Sequence, residues 1–258
     1  MIFFAFSCVA TLPQEEWSWS GNLFERSIEG FLPLQNATIQ VYTQDLELLV
    51  ETEENPDSPY RTLEISEEYR EQELIFLLNG DNCHQSLWKG TAPPEGDVIW
   101  LNGSLFAQGK SYHQLILNSL GLLEVEPLTD PITQEASSYS LLWGEPADAE
   151  DWTGVSVSAV LHLEEPPLED TSSESGNPIV LDPLLFSQTE EGLLIPISSP
   201  ITEELPLSLF IIPEVPSGTL ELTLSRTSDL GPSFETTTTY PSMPGTWLSA
   251  VYFTIPSE

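Results

Sequence analysis

Short segments in which apolar and polar residues alternate recur along most of the chain, and this pattern constrains the fold more than any other feature. In the segment 38–42, isoleucine and valine alternate with threonine, glutamine and tyrosine, and in 219–224 leucine alternates with threonine and glutamate. A period of two is expected when one face of a strand packs on a core and the other faces solvent. The chain is therefore predicted to be mainly β.

Turn-forming residues separate the apolar segments, with clusters of Pro, Gly, Asn and Asp at 55–59, 79–81 and 93–96. The 22 prolines suit strand ends and sheet edges, where a missing N–H costs little. Many short strands with frequent turns are typical of β-sandwiches. Strands are predicted at 27–32, 37–42, 46–50, 61–65, 73–78, 98–101, 140–143, 155–161, 179–181, 192–197, 207–212, 218–224 and 247–255.

One segment has a helical period. In 106–123, large apolar or aromatic residues are spaced by three and four positions, as on one face of an α-helix. Gly109 and Gly121 limit its length, because glycine disfavours helix interiors. This helix is expected to cap an open end of the first sandwich.

A short motif precedes a late strand of the second half. Residues 216–222 read Pro-Ser-Gly-Thr-Leu-Glu-Leu, and 37–42 in the first half read Ala-Thr-Ile-Gln-Val-Tyr. Both segments resemble carboxypeptidase regulatory-like domains, the transthyretin-like sandwiches of bacterial envelope proteins. The resemblance spans roughly 26–105 and 150–257 and implies a sandwich fold, an accessory or binding role and no catalytic residues.

The expected fold is mainly β, with two tandem Ig-like or transthyretin-like β-sandwiches and one short helix between them. The predicted boundaries are 1–25 for a lipoprotein-signal remnant and tether, 26–125 for the first sandwich plus helix, and 126–258 for the second sandwich. Within the second half, the acidic, serine-rich segment 164–176 is predicted to be a loop.

The formal charge is −35, from 41 acidic and six basic residues. A nucleic-acid binder needs a basic surface to displace counterions, so nucleic acid is excluded as a partner. An anionic membrane would repel this chain, so membrane attachment is expected through a lipid only. An acidic, lysine-poor surface is typical of adaptation to salt. Cation binding is the alternative, although no EF-hand-like loop is present.

Residues 1–8 read Met-Ile-Phe-Phe-Ala-Phe-Ser-Cys and resemble the end of a bacterial lipoprotein signal. Cys8 is then the lipidated residue. The protein is expected to be anchored in the outer or cytoplasmic membrane and to face the periplasm or the exterior. A signal needs a basic start and about 7–15 apolar residues, so we expect it to begin upstream of Met1. Alternatively, 2–6 is a strand and Cys8 is a thiol that can pair with Cys83 in an oxidising compartment.

The histidines and Cys83 are the residues of this chain that are candidates for metal ligands. Cys83 and His84 are adjacent beside Asp81, but neighbours on a strand point to opposite faces, and a zinc site needs four ligands. No metal site and no cofactor is predicted. Cys83 is expected to be a loop thiol and His84 an exposed imidazole. His113 should face solvent or pack under a sandwich end, and His162 should point outward.

No catalytic residue is predicted, because the chain has no GxSxG motif and no glycine-rich phosphate loop. Trp88 and Trp152 lie in polar surroundings at 85–90 and 150–154 and are expected to be exposed. They are the candidate ligand-binding residues, since an exposed indole can stack on a sugar ring. The alternative is that both tryptophans close sandwich ends.

The leading hypothesis is a non-catalytic, lipid-anchored envelope protein with a binding or display role, whose partner is an unidentified envelope protein or glycan. A carbohydrate-binding accessory module is the first alternative. An acidic extracellular hydrolase with two carboxylates of unequal pKa is the second.

Salt should stabilise the fold. At a charge of −35 the compact state suffers self-repulsion, and about 1 M salt shortens the screening length to about 3 Å. The thermal midpoint, measured by circular dichroism, is expected to rise between dilute buffer and ~1 M NaCl. A midpoint that does not change would contradict the salt-adapted interpretation.

Overall fold

The computed structural model describes residues 16–52, 60–69, 71–91, 98–100, 106–129, 135–146, 152–163, 178–189, 191, 193–202, 204–227 and 233–253. In this part the protein is mainly β with one α-helix, as predicted. The helix is α1 (Lys110–Ser119), and none of the described helices is long and apolar enough to cross a membrane.

The strands are numbered in chain order. They are β1 (Glu16–Asn22), β2 (Phe24–Ser27), β3 (Gly30–Pro33), β4 (Thr38–Tyr42), β5 (Leu48–Glu51), β6 (Tyr60–Ser66), β7 (Glu73–Asn79), β8 (Gln85–Thr91), β9 (Val98–Trp100), β10 (Phe106–Gln108), β11 (Ser140–Pro146), β12 (Val155–His162), β13 (Ile179–Leu181), β14 (Leu184–Gln188), β15 (Leu194–Ile197), β16 (Leu209–Val215), β17 (Gly218–Arg226), β18 (Phe234–Ser242) and β19 (Thr246–Phe253).

A nine-stranded sheet of order β15-β14-β16-β11-β19-β8-β7-β4-β5 forms the central layer. Its two halves meet where β8 and β19 pair in parallel, with Gln85 opposite Thr246 and Leu87 opposite Leu248. Strands from both halves of the sequence therefore share one sheet. The boundary predicted between residues 125 and 126 stays a prediction, and this sheet crosses it.

Strand β7 shows why the central sheet is covered on both faces. Leu74 and Phe76 belong to one apolar cluster, whereas the intervening Ile75 and Leu77 belong to another. All four side chains are buried. A strand buried on both faces has a continuous apolar run instead of an alternating one, which is what the sequence shows at 74–78.

Three layers result from this arrangement. On one face, the small sheets β6-β1-β9 and β10-β2-β3 pack over the first-half end of the central sheet, and α1 packs over the second-half end. On the opposite face lies the sheet β13-β12-β17-β18. Its buried side chains point inward: Val155, Val157, Leu161, Leu220, Leu222 and Leu224. Stacked sheets with apolar side chains between them are the packing of a β-sandwich.

Basic side chains tie these layers together. The Lys89 ammonium on β8 lies 2.6 Å from the Glu73 carboxylate and donates a 2.7 Å hydrogen bond to the Thr239 carbonyl on β18. Only 8% of the Lys89 side chain is exposed. Arg26 on β2 forms a 2.6 Å ion pair with Glu145 on β11. The Lys89–Thr239 hydrogen bond joins two layers, and the Arg26–Glu145 ion pair joins the two halves of the chain.

The structure corrects several predicted elements. Strand β1 occupies part of the segment 1–25, which the sequence predicts to be a signal remnant and tether. Residues 106–108 form β10, so the helix is shorter than the predicted 106–123. Strands β8, β14 and β18 were missed, and β18 contains a threonine run without apolar alternation. The predicted loop at 164–176 lies outside the described residues.

Because one sheet runs through both halves, the protein should unfold as one unit. Phe76→Ala empties a fully buried position in β7 and should cost about 3–5 kcal/mol. Urea unfolding followed by tryptophan fluorescence and by circular dichroism should give one shared transition at lower denaturant. Leu48→Ala on edge strand β5 is the control and should change stability by about 0.5 kcal/mol or less. Two transitions, only one of them shifted by Phe76→Ala, would show that the halves unfold independently.

Candidate functional site: a buried histidine pair

Two histidines from distant parts of the chain meet beside the N-terminus of α1. Nδ1 of His113, in the first turn of α1, lies 2.9 Å from Nε2 of His84, which immediately precedes β8. The ring planes are nearly perpendicular, at 82°, and the ring centroids are 4.7 Å apart. Only 4% of His84 and 2% of His113 is exposed. We refer to these two residues as the histidine pair.

The start of α1 is held against the first half by backbone contacts. The Gly109 N–H donates to the Arg26 carbonyl, and the Lys110 N–H donates to the Asn82 carbonyl. A side chain at Gly109 would collide with β2, because a Cβ atom there would lie 2.7 Å from the Arg26 carbonyl oxygen. The His84 N–H donates to the Gln108 carbonyl. Glycine at position 109 thus allows the close approach that brings His113 to His84.

The second half of the chain supplies the other neighbours of the pair. Thr129 Oγ1, in the loop after α1, lies 3.2 Å from His84 Nδ1. The Trp247 ring on β19 packs edge-to-face on His113 at 5.1 Å, and Trp143 lies 5.1 Å from Trp247. The pair therefore lies at the junction between the first half, the helix and the central sheet.

Burial keeps both imidazoles neutral. It lowers the pKa of His84 to about 3, with smaller contributions from the positive charges of His113 and Lys110. Burial also lowers the pKa of His113 to about 4. Charging either ring would place a cation in a poorly solvated site, which is unfavourable. At neutral pH each ring therefore carries one N–H donor and one nitrogen lone pair.

A cavity of about 280 Å³ adjoins the histidine pair. Both histidines line it, together with Lys110 and Ser111 at the start of α1 and Thr129 in the following loop. Among the described residues, His113 Nε2 has no hydrogen-bond partner. Within the part of the chain that the structure describes, no group of three or more His, Cys, Asp or Glu residues is placed to hold a metal ion.

The candidate ligand-binding tryptophans are core residues, so the expectation that they are exposed is wrong. Trp88 is 5% exposed, donates a 2.9 Å hydrogen bond to the Phe106 carbonyl and packs edge-to-face on the Phe106 ring. Trp152 is 4% exposed and lies in the cluster between the central sheet and β12. Stacking on a sugar needs an open ring face, which neither indole offers. Cys8, the predicted lipidation site, lies outside the described residues.

The histidines and Cys83 depart in part from expectation. His84 is expected to be exposed but is buried, and His113 is buried against Trp247 of β19 instead of facing solvent. His162 is exposed as predicted and lies 3.7 Å from the Glu221 carboxylate. Cys83 is a buried free thiol, and burial raises its pKa to about 12. The partnership of His84 and His113 has no signal in sequence spacing, because it depends on where α1 packs.

No protein-family model matches the chain, and no curated protein sequence matches it. Among solved structures, the Bacillus anthracis TIE protein is similar with a TM-score of 0.27 and 9% identity over 91% of this chain. The chain spans 33% of that protein's length. The shaft pilin SpaA from Lactobacillus rhamnosus GG gives a TM-score of 0.24 and 8% identity, covering 95% of this chain and 100% of that one.

A third similar structure is BcpA, the major pilin subunit of Bacillus cereus. Its TM-score is 0.25 and its identity 7%, with 89% of this chain and 69% of that chain covered. These TM-scores are too low to establish a common fold. The fold and the site therefore stand on the contacts described above.

The histidine pair should make the fold sensitive to acid. Above pH 6.5 both rings are neutral in the folded and the unfolded chain. Below pH 6.5 both histidines become protonated in the unfolded chain. In the folded chain His113 becomes protonated only near pH 4 and His84 only near pH 3. The free energy of unfolding should therefore fall over this range. Urea titrations at a series of pH values should show a smaller fall for His84→Gln/His113→Gln, and an unchanged fall for the exposed-site control His162→Gln. Equal pH slopes in all three proteins would contradict the assignment.

Proposed function

We propose that this chain is a non-catalytic protein of the cell envelope, anchored by a lipid on Cys8, that displays or binds other envelope components through a rigid β-sandwich body. The observation that carries the proposal is the continuous nine-stranded sheet. Its parallel β8–β19 junction joins both halves of the chain by backbone hydrogen bonds. Two halves of a chain that share one sheet hold a fixed spacing, as a display scaffold requires.

The polar contacts between layers support a structural role. Lys89 joins the central sheet to β18, and Arg26 joins β2 to β11. Arg61 donates to the backbone carbonyl of Ala37, in the segment leading into β4. In a chain with six basic residues, these three are all engaged in holding elements together. Such ties restrict sliding of one layer over another.

The resemblance to transthyretin-like domains also supports this function. Its motif at 216–222 contains Gly218, which begins β17 with a φ of +153°. A Cβ atom at this position would lie 2.4 Å from the His162 carbonyl oxygen at the end of β12. Glycine at this position of the motif thus allows β17 to start close beside β12. Accessory sandwiches of this kind have a binding or display role, and we extend that role to this chain.

Lipid attachment provides the test of location. Cells that express the full native gene are labelled with an alkyne fatty acid, and membranes are separated from soluble protein. We expect the wild type to carry the label and to sediment with membranes. Cys8→Ala should lose both properties because the acyl acceptor is gone. Cys83→Ala removes the other, buried thiol and is the matched control, which should behave as the wild type.

The outcomes separate the anchor from the scaffold. A Cys8→Ala protein that keeps the label or stays in the membrane fraction would overturn the lipid anchor at Cys8. A soluble Cys8→Ala protein with an unchanged thermal midpoint would support an anchor that is separate from the folded body.

A further inference from the structure

We propose that His84 and His113 form a two-nitrogen binding site for a transition-metal ion of the imidazole-preferring class, with Cu²⁺ favoured. Water from the adjoining cavity would complete the coordination. The sequence alone does not indicate this site, because the neighbouring residues Cys83 and His84 cannot face one ion together. The second nitrogen comes instead from His113, 29 positions further along the chain.

The distance between the two nitrogens fits this site. Nε2 of His84 and Nδ1 of His113 are 2.9 Å apart. Two imidazole nitrogens that bind one ion at about 2.0–2.1 Å and at a right angle to each other are separated by about 2.9 Å. Neighbouring positions at right angles are the arrangement in tetragonal Cu²⁺ and Ni²⁺ complexes.

The ring orientation supports the same conclusion. A straight N–H···N bond would direct both rings along one line and keep their centroids farther apart than the observed 4.7 Å. At least one nitrogen lone-pair axis therefore lies off the line that joins the two atoms. A bent contact is weak as a hydrogen bond. Where both lone pairs tilt off this line to the same side, they converge on a single ion beside it.

The outer contacts suit His84 as a neutral metal ligand and hold the ring of His113 in place. With Nε2 of His84 as the ligand, its Nδ1–H can donate to Thr129 Oγ1 at 3.2 Å. A bond of this kind fixes the tautomer and the ring orientation of a metal-binding histidine. With Nδ1 of His113 as the ligand, its proton lies on Nε2, which has no hydrogen-bond acceptor among the described residues. The Trp247 ring packs against this imidazole and holds its orientation.

The surroundings provide both an approach route and an attraction for cations. The cavity of about 280 Å³ is lined by both histidines and has room for several water molecules. A net charge of −35 raises the local concentration of cations around the protein. Lys110 is the basic residue that lines the cavity, and its charge opposes a bound cation. Removing this charge should therefore strengthen binding.

The two imidazole ligands indicate which metal ions this site would bind. They suit Cu, Ni and Zn, whereas Mg²⁺ and Ca²⁺ prefer carboxylate and carbonyl oxygen. For nitrogen sites, affinity among the divalent ions peaks at Cu²⁺. The numerous surface carboxylates can bind any of these cations weakly, so the experiment must occupy them first.

The test is a titration of the full chain with CuCl₂ in ~1 M NaCl and excess MgCl₂, which screens and occupies the carboxylates. Binding is followed by electron paramagnetic resonance, where bound nitrogen gives hyperfine splitting, and by quenching of tryptophan fluorescence. We expect one Cu²⁺ per chain, nitrogen hyperfine structure, and quenching because Trp247 packs on His113.

Matched variants locate the ion. His84→Gln and His113→Gln should each weaken binding by about tenfold or more, and His162→Gln should leave it unchanged. Thr129→Val keeps both ligands but removes the bond to His84 and should weaken binding by about tenfold. Lys110→Gln should strengthen binding. Circular dichroism establishes that each variant is folded, and if the histidine variants are not, Thr129→Val and Lys110→Gln decide the outcome.

Two results would overturn the proposal. The first is no binding of Cu²⁺ beyond the carboxylate background, which would mean that the two histidines form a hydrogen-bonded pair only. The second is binding without nitrogen hyperfine structure, or binding that is unaffected by Thr129→Val and Lys110→Gln. Either result leaves the envelope function untouched, because that function does not depend on a metal.

Discussion

The parallel pairing of β8 with β19 is the contact on which the rest of the structure depends. It places residues 246–248 beside residues 85–87, about 160 positions earlier in the chain. Because of this pairing, the central sheet has one continuous face for β12 and β17 and an opposite face shared by the first-half sheets and α1. The same pairing brings Trp247 under His113. The continuity of the central sheet and the packing of Trp247 on the histidine pair thus both follow from the β8–β19 pairing.

Charge is distributed unevenly in this protein, and the arrangement follows from solvation. The acids outnumber the bases by 41 to six. Arg26 and Lys89 lie between layers, where each is paired with a carboxylate. A buried cation needs such a partner to offset its lost hydration. Arg26 and Lys89 are therefore found where different layers or different halves of the chain meet.

Local pattern predicted most strands but failed where burial depends on distant partners. The alternation in β4 and β17 and the apolar run of β7 indicated strands directly. The threonine run of β18 gave no such signal, because threonine occupies both its half-buried and its exposed positions. Trp88 and Trp152 lie among polar neighbours and suggested exposed loops. Each is covered by residues far away in the chain, which a local window does not contain.

The sequence by itself determined the β class, the strand-and-turn rhythm, the acidic surface and the shortage of basic residues, because these depend on residue type and on neighbours within a few positions. Only the tertiary structure decided which strands share a sheet, which tryptophans are buried and which histidines meet. Those outcomes depend on contacts such as Gln85 with Thr246 and His84 with His113. Such contacts form only when the whole chain closes around one core, since their loop-closure cost must be offset by apolar burial elsewhere.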